Sequence, residues 1–424
     1  MSQSLPGNFR KLTLPQRQSA IAGAFAFSPE ETAGINADSG MLDLADIMVE
    51  SAIGVMPVPL GVATGFLIDG VEYVVPLAVE EPSVIAASSY AAGIVRRAGG
   101  FRTWATEPVM SAQVVLEGRY DVDSVMKHEP EVRATLEPIL AAMERRGGGY
   151  RGMEVEAAPS AGCTCVIIHV DVRNAMGANL LNTAAEAVSR VLSGRLGTQR
   201  LMAILTNAAE QRRAGAECSI PVERLGRAGF TGEEAARRIA LGAQFARENP
   251  LRAVTHNKGI MNGVSSLALA TGNDTRGIEA AVHAWASRDG VYRGLTEFSV
   301  VDGNLVGRWE APLPFGVVGG AVAVHPAARA SLRILGNPDA VTLSRIAAAV
   351  GLAQNLAAVY ALVTEGIQSG HMRLHCERLA FLAGARGTQI REVAVLLAAG
   401  TRHNLDEART VLNQMQQSTD GRTR

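Results

Sequence analysis

Apolar residues recur along this chain with two periods, and the switches between them predict helices and strands in turn. Residues 41–53, MLDLADIMVESAI, have helical spacing with Asp and Glu on the other face, and Gly54, Pro57, Pro59 and Gly61 break the pattern. Alternating runs at 62–68 and 71–79 flank Asp69-Gly70 and predict two strands joined by a two-residue hairpin turn. The second strand ends in Glu80-Glu81-Pro82-Ser83, and 83–97 reads as an alanine-rich helix stopped by Gly99-Gly100.

From about residue 108 to 205 the order is strand (112–116), helix (122–146), a break at Gly147-Gly148-Gly149, strands (153–157 and 163–172), helix (182–192) and strand (200–205). That βαββαβ order predicts a small ferredoxin-like sandwich inserted into a larger mixed α/β domain. Helical patterns return at 231–248 and 278–287, with strands near 291–325. Residues 340–363 form a long, nearly uncharged helical pattern expected to be buried. Beyond the glycines at 366 and 370 lie two shorter helices, 372–384 and 389–399, and a charged terminus. The fold class is therefore α/β (α+β), divided into 1–107 with 206–365, an insert at 108–205, and a C-terminal segment 366–424 that a glycine hinge allows to act as a cap.

Composition narrows the function. The 424 residues are 47% hydrophobic and 19% charged with a formal charge of −1, which describes a globular chain with a large core and no basic face for nucleic acid or anionic lipid. The N-terminal stretch lacks a secretory core and the run at 311–324 is short and glycine-rich, so a cytoplasmic protein acting on a small molecule is expected. Cys163, Cys165, Cys218 and Cys376 are expected as reduced structural thiols, and the spacing of Cys163 and Cys165 does not suit a zinc knuckle.

Four places carry candidate chemistry. Residues 255–274, THNKGIMNGVSSLALATGND, place Lys258 and Asp274 in two glycine-flanked polar loops that could bring them together. A lysine beside a carboxylate stays protonated, and a fixed cation suits a reaction that builds negative charge on a carbonyl oxygen. Glu81, at a strand end before Pro82, can point into a cleft where burial suits a proton donor. His371, between a glycine hinge and the terminal helices, suits an acid/base group on a movable segment, whereas its pairing with His375 lacks the further ligands a metal needs. Neither GxGxxG nor GxxxxGK[ST] occurs, which excludes an ordinary Rossmann fold, but the loop Asn174-Ala175-Met176-Gly177-Ala178-Asn179 after a strand, with a helix capped near Asn182 or Thr183, suits a pyrophosphate.

The segments VPLAVEEPSVIAASSY, VDVRNAMGANLLNTAAEAV, RAVTHNKGIMNG, ATGND and GLAQNLAAVYALVTEGIQSGHM closely resemble the 3-hydroxy-3-methylglutaryl-coenzyme A (HMG-CoA) reductases of the soluble bacterial, class II type, in order along nearly the whole chain. The resemblance implies reduction of the thioester to mevalonate by two hydride transfers from NADH or NADPH through mevaldyl-CoA and mevaldehyde, with no metal. Glu81, Lys258, Asp274 and His371 match the catalytic glutamate, lysine, aspartate and histidine of the family. Lys258 is then the oxyanion stabiliser, Glu81 the proton donor, Asp274 the group tuning both, and His371 the acid for the coenzyme A thiolate. Glu50, Ser83, Asn207 and Arg252 match substrate-binding positions, and Asn174, Met176, Gly177, Ala178 and Asn179 match the dinucleotide loop.

The sequence departs from its relatives at Asn174, where Asp is usual, and in ESAIG at 50–54. Before the triple glycine, Leu140 stands near the place of an acid that repels a 2′-phosphate in some NADH users, with Arg145 and Arg146 close by, so the cofactor choice stays open. The resemblance further implies a large substrate domain, a small NAD(P)-binding insert, a C-terminal flap, and a homodimer or an assembly of dimers. Two other readings share these residues: a degradative enzyme oxidising mevalonate, and a non-catalytic binder of coenzyme A thioesters.

Overall fold

The computed structural model describes residues 5–6, 8–158, 160–366 and 368–420, with the side chains of 158, 368–374 and 417–420 left aside. Among the described residues, ten strands form three antiparallel sheets. Strands β1 (Leu60–Ile68) and β2 (Val71–Ala78) make the hairpin, with Asp69 at φ 49° and Gly70 at φ 81°, the left-handed pair that a tight two-residue turn requires. Strands β3 (Arg102–Ala105), β8 (Arg213–Pro221), β10 (Asn304–Pro312) and β9 (Glu297–Val301) lie side by side in that order. Strands β4 (Val109–Glu117), β5 (Gly149–Ala158), β6 (Cys163–Asp171) and β7 (Arg200–Leu205) form the third sheet in the order β5-β6-β4-β7.

The third sheet buries Met110, Ala112, Val114, Val166, Ile168 and Val170 on one face against Leu136 and Leu140 of the helix Glu129–Glu144 and Leu181, Val188 and Leu192 of the helix Ala178–Leu196. The single helix expected over 122–146 is two, Val122–Met126 and Glu129–Glu144. Pro130 supplies no N–H to continue the first helix and instead opens the second.

At the centre of the largest core the helix Ala340–Val363 is buried along most of its length. It has the length and apolarity to cross a bilayer, but here it packs inside the molecule. Leu343, Ile346, Val350, Leu352 and Leu356 are at most 1% exposed, and each such side chain contributes about 1.5–3 kcal/mol on burial.

Across it runs the helix Pro250–Ala270, which contains Lys258. This corrects the expectation of a lysine loop. The glycines that read as loop punctuation let two helices approach: a Cβ on Gly263 would lie 2.9 Å from Val350 Cγ1, and one on Gly259 would lie 3.5 Å from Asn355 Nδ2. The crossing is pinned by buried polar groups. Asn355 Nδ2 donates to the His256 carbonyl at 2.9 Å, Thr296 Oγ1 donates to Asn355 Oδ1 at 2.7 Å, and Leu295 N–H donates to Asn257 Oδ1 at 3.0 Å.

The C-terminal helices Gln368–Leu382, Gln389–Ala399 and Leu405–Asp420 pack on one another around Cys376, Leu379, Ala394, Leu397 and Ala408. The last of them replaces the expected charged terminus. Its Ala408 and Leu412 are buried within an otherwise polar helix. All four cysteines are free and buried.

Candidate active site

The Lys258 ammonium stands at 2.5 Å from Glu81 Oε2. The lysine projects from the middle of a braced helix, and the glutamate from the turn that ends β2 and begins the helix Val84–Arg97. The expected partner was Asp274, but no bond joins Lys258 to Asp274 among the described residues. Nor is Glu81 sheltered under apolar walls: its side chain is 36% exposed and that of Lys258 57% exposed, so the pair opens onto solvent in the single chain. Ser83 follows at φ 74°, a left-handed conformation that is costly for a residue with a Cβ, and its hydroxyl is not used to cap the helix. A strained serine thus stands in the same turn as Glu81.

Arg252 lies on the lysine helix, six residues before Lys258. Its backbone N–H is capped by Asn249 Oδ1 at 2.9 Å, and burial holds its guanidinium below the usual arginine value. The nearby His256 is 1% exposed and touches Thr296 Oγ1 at 2.5 Å. Burial first, and then the Arg252 charge, pushes its pKa down to about 3. His256 is thus a neutral structural histidine.

The loop expected to hold the dinucleotide stands elsewhere. Residues 175–180, 272–276 and 318–322 line a cleft of about 710 Å³, and neither Lys258 nor Glu81 is among its walls. Gly177, at φ 99°, caps the helix Ala178–Leu196, which begins four residues before the expected cap at Asn182. A side chain at 177 would place its Cβ 2.7 Å from Val172 Cγ1, so only glycine fits this turn, and it leaves the helix amides without a side-chain cap. Asn182 Oδ1 instead accepts from Leu205 N–H at 2.9 Å, and Thr183 Oγ1 donates to the Asn179 carbonyl at 3.0 Å.

Asp274 forms part of the cleft wall and caps the helix Thr275–Ala286, accepting from Gly277 N–H at 3.0 Å. Asn207 is beside it: the space a Gly277 side chain would need is shared by Asp274 Oδ2 and Asn207 Oδ1. The expected residues therefore fall into two candidate partial sites, one with Glu81, Ser83, Arg252 and Lys258, the other with Met176, Gly177, Ala178, Asn179, Asn207 and Asp274.

Comparison with known proteins shows the family. The family profile described as hydroxymethylglutaryl-coenzyme A reductase matches residues 13–376. The chain belongs to this reductase family. A 3-hydroxy-3-methylglutaryl-coenzyme A reductase of Archaeoglobus fulgidus is 41% identical, covering 98% of this chain and 95% of its own length, and a probable reductase of Borreliella burgdorferi is 34% identical over 89% and 87%. A solved reductase of Streptococcus pneumoniae shares 38% identity at a TM-score of 0.74, over 96% of this chain and 99% of that one. A class II structure from the same organism, bound to NADPH in open conformations, is 37% identical, also at a TM-score of 0.74, over 96% and 100%. The chain is thus an oxidoreductase of the HMG-CoA reductase family, similar to its class II members.

Of the other expected site residues, Glu50 and Asn174 fall outside both partial sites. Glu50 is exposed, 3.8 Å from Arg10, and touches neither the ion pair nor the cleft. The helix expected to hold Glu50 ends at Met48. Asn174 is exposed, and its Oδ1 accepts from Ala340 N–H at 3.0 Å, which ties the loop to the start of the central helix. The side chain of His371 lies outside the described residues. Position 371 is on the helix Gln368–Leu382, whose Arg378 donates to the Glu80 carbonyl at 3.4 Å, one residue from Glu81.

Sequence reasoning missed two supports of the loop. Arg212, 3% exposed, donates to the Ala175 carbonyl at 3.0 Å, the Met176 carbonyl at 3.4 Å and the Phe315 carbonyl. Asn273 Oδ1 accepts from Gly316 N–H at 2.7 Å. The alternation Ala214, Ala216, Cys218, Ile220 after Arg212 was the available signal for strand β8, which holds that arginine in place.

Proposed function

We propose that this chain reduces HMG-CoA to mevalonate and free coenzyme A with NADH or NADPH, in two successive reductions through mevaldyl-CoA and mevaldehyde. The observation that carries the reading is the Lys258–Glu81 contact at 2.5 Å, which joins an ammonium and a carboxyl on two separately braced elements.

The residues around the cleft fit a dinucleotide. Gly177 leaves the start of the helix Ala178–Leu196 without a side-chain cap, and its unspent amides and positive dipole end suit a pyrophosphate. A dinucleotide held by these residues would supply the hydride for the carbonyl carbon. Lys258 stabilises the negative charge that develops on the carbonyl oxygen, first of the thioester and then of the aldehyde. Glu81, hydrogen-bonded to that ammonium, delivers the proton that turns the second oxyanion into an alcohol. His371 protonates the departing thiolate, since a thiol of pKa roughly 8.5 leaves incompletely at neutral pH. Arg252 and Ser83 hold the far carboxylate of the substrate, for which a guanidinium fork is suited.

In this reading Asp274 and Asn207 act with the nicotinamide, and Asp274 meets Lys258 across a homodimer interface. Two observations support a shared site: the solvent-open ion pair, and the exposed apolar residues Ile47, Val49, Met56 and Val58 between the N-terminal helices and β1. Residues 108–205, with their ferredoxin-like strand order, form the dinucleotide unit. Residues 1–107 and 206–365 form the substrate and dimerisation body, and 366–424 the flap that brings His371 to the thioester.

The experiment is to follow nicotinamide absorbance with HMG-CoA, using NADH and NADPH separately. Oxidation of at least one, dependent on HMG-CoA and releasing free thiol, is expected. Absence of both by folded, dimeric protein overturns the proposal.

A further inference from the structure

We infer that Arg276 is the cation that receives the dinucleotide pyrophosphate, a role that rests on the reductase reading and adds a residue outside the matched loop. Among the described residues lining the cleft, Asp274 and Arg276 are the only charged side chains. Asp274 is committed to the cap of its helix through Gly277 N–H. Arg276 makes no hydrogen bond or ion pair among the described residues, and it is exposed.

Arg276 sits in the first turn of the helix Thr275–Ala286, at its positive dipole end, where the N-cap carboxylate of Asp274 already accepts from Gly277 N–H. An anion in the cleft gives the guanidinium a partner of its own. Across the same cleft stand Ala178, Asn179 and Leu180, the opening residues of the helix Ala178–Leu196. A pyrophosphate received there lies between one set of free amides and one free guanidinium, with Gly177 and Gly316 keeping side chains out of its way. Because NADH and NADPH share this group, Arg276 contributes to affinity without choosing between them.

The test is direct binding, read by calorimetry or nicotinamide fluorescence on the intact protein with NADH and with NADPH. Arg276→Ala is expected to weaken both about 10-fold or more, as loss of a charge-assisted hydrogen bond does, and to leave their ratio within about 2-fold. Arg276→Lys is expected to recover part of the loss, and HMG-CoA binding is expected to stay unchanged. Unaltered dissociation constants in Arg276→Ala, or a loss confined to NADPH, overturn the inference. A wild-type protein that binds neither dinucleotide refutes the reductase reading itself.

Discussion

The two partial sites are built in opposite ways. Around Lys258 the sequence uses rigidity: a long helix locked across a second helix by Asn257, Thr296 and Asn355, with its reactive ammonium already engaged by Glu81. Around Gly177 it uses vacancy: a glycine cap at positive φ, an uncapped helix start and a wide cleft with few charges. A catalytic group gains from being fixed before substrate arrives, because ordering it then costs nothing during the reaction. A cofactor loop gains from leaving backbone groups bare, because the ligand itself completes them.

The comparison breaks most sharply at Lys258. Lys258→Ala is expected to lower thioester reduction by about 10²–10³-fold or more while calorimetry still detects both HMG-CoA and dinucleotide. Gly177→Val attacks the other half. Strain at positive φ and the clash with Val172 are expected to weaken dinucleotide binding roughly 100-fold, some 2–3 kcal/mol, with HMG-CoA affinity unchanged. His371→Ala sharpens the division of labour: steady-state rates are expected to fall more for HMG-CoA than for free mevaldehyde, which releases no thiolate. Equal losses on both would contradict its role as the thiolate acid.

Two smaller effects concern the helix crossing. Asn355→Ala leaves the Thr296 hydroxyl and the His256 carbonyl without their partner, and denaturant unfolding is expected to show a loss of about 1–3 kcal/mol. His256 has a depressed folded-state pKa of about 3 against roughly 6.5 in an unfolded chain. The unfolded state therefore takes up the proton first, so this contribution is complete above about pH 6.5 and is lost as pH falls towards 3. Melting temperature measured over that range is expected to decline less steeply in His256→Gln.

Much of the fold was legible because its signals were local. Asp69-Gly70 specified a hairpin, the nearly uncharged run at 340–363 specified a buried helix, and 200–205 specified a strand with its observed bounds. The lysine segment misled because glycine marks both a chain break and a close helix crossing, and Gly259 and Gly263 serve the second purpose. Residue types and motif order were enough to name Lys258 and Glu81, but not to pair them, since their meeting depends on a crossing set by Asn355 and Val350 about 100 residues away. Arg212 and Asn273 escaped notice for the same reason: they act on backbone carbonyls and amides distant in sequence. The helix Leu405–Asp420 was obscured by its polar surface, which covers only a narrow buried stripe.

A working site is expected to take its rigid half from one subunit and its vacant half from the other. The decisive measurement mixes Lys258→Ala with Gly177→Val subunits at a dinucleotide concentration where each alone is inactive. If the halves join across the dimer, random reassociation restores about a quarter of wild-type HMG-CoA-dependent nicotinamide oxidation, because each mixed dimer holds one site with both halves intact. If mixed dimers form, as verified by differently tagged subunits, and remain inactive, the two halves belong to one subunit and the account is wrong.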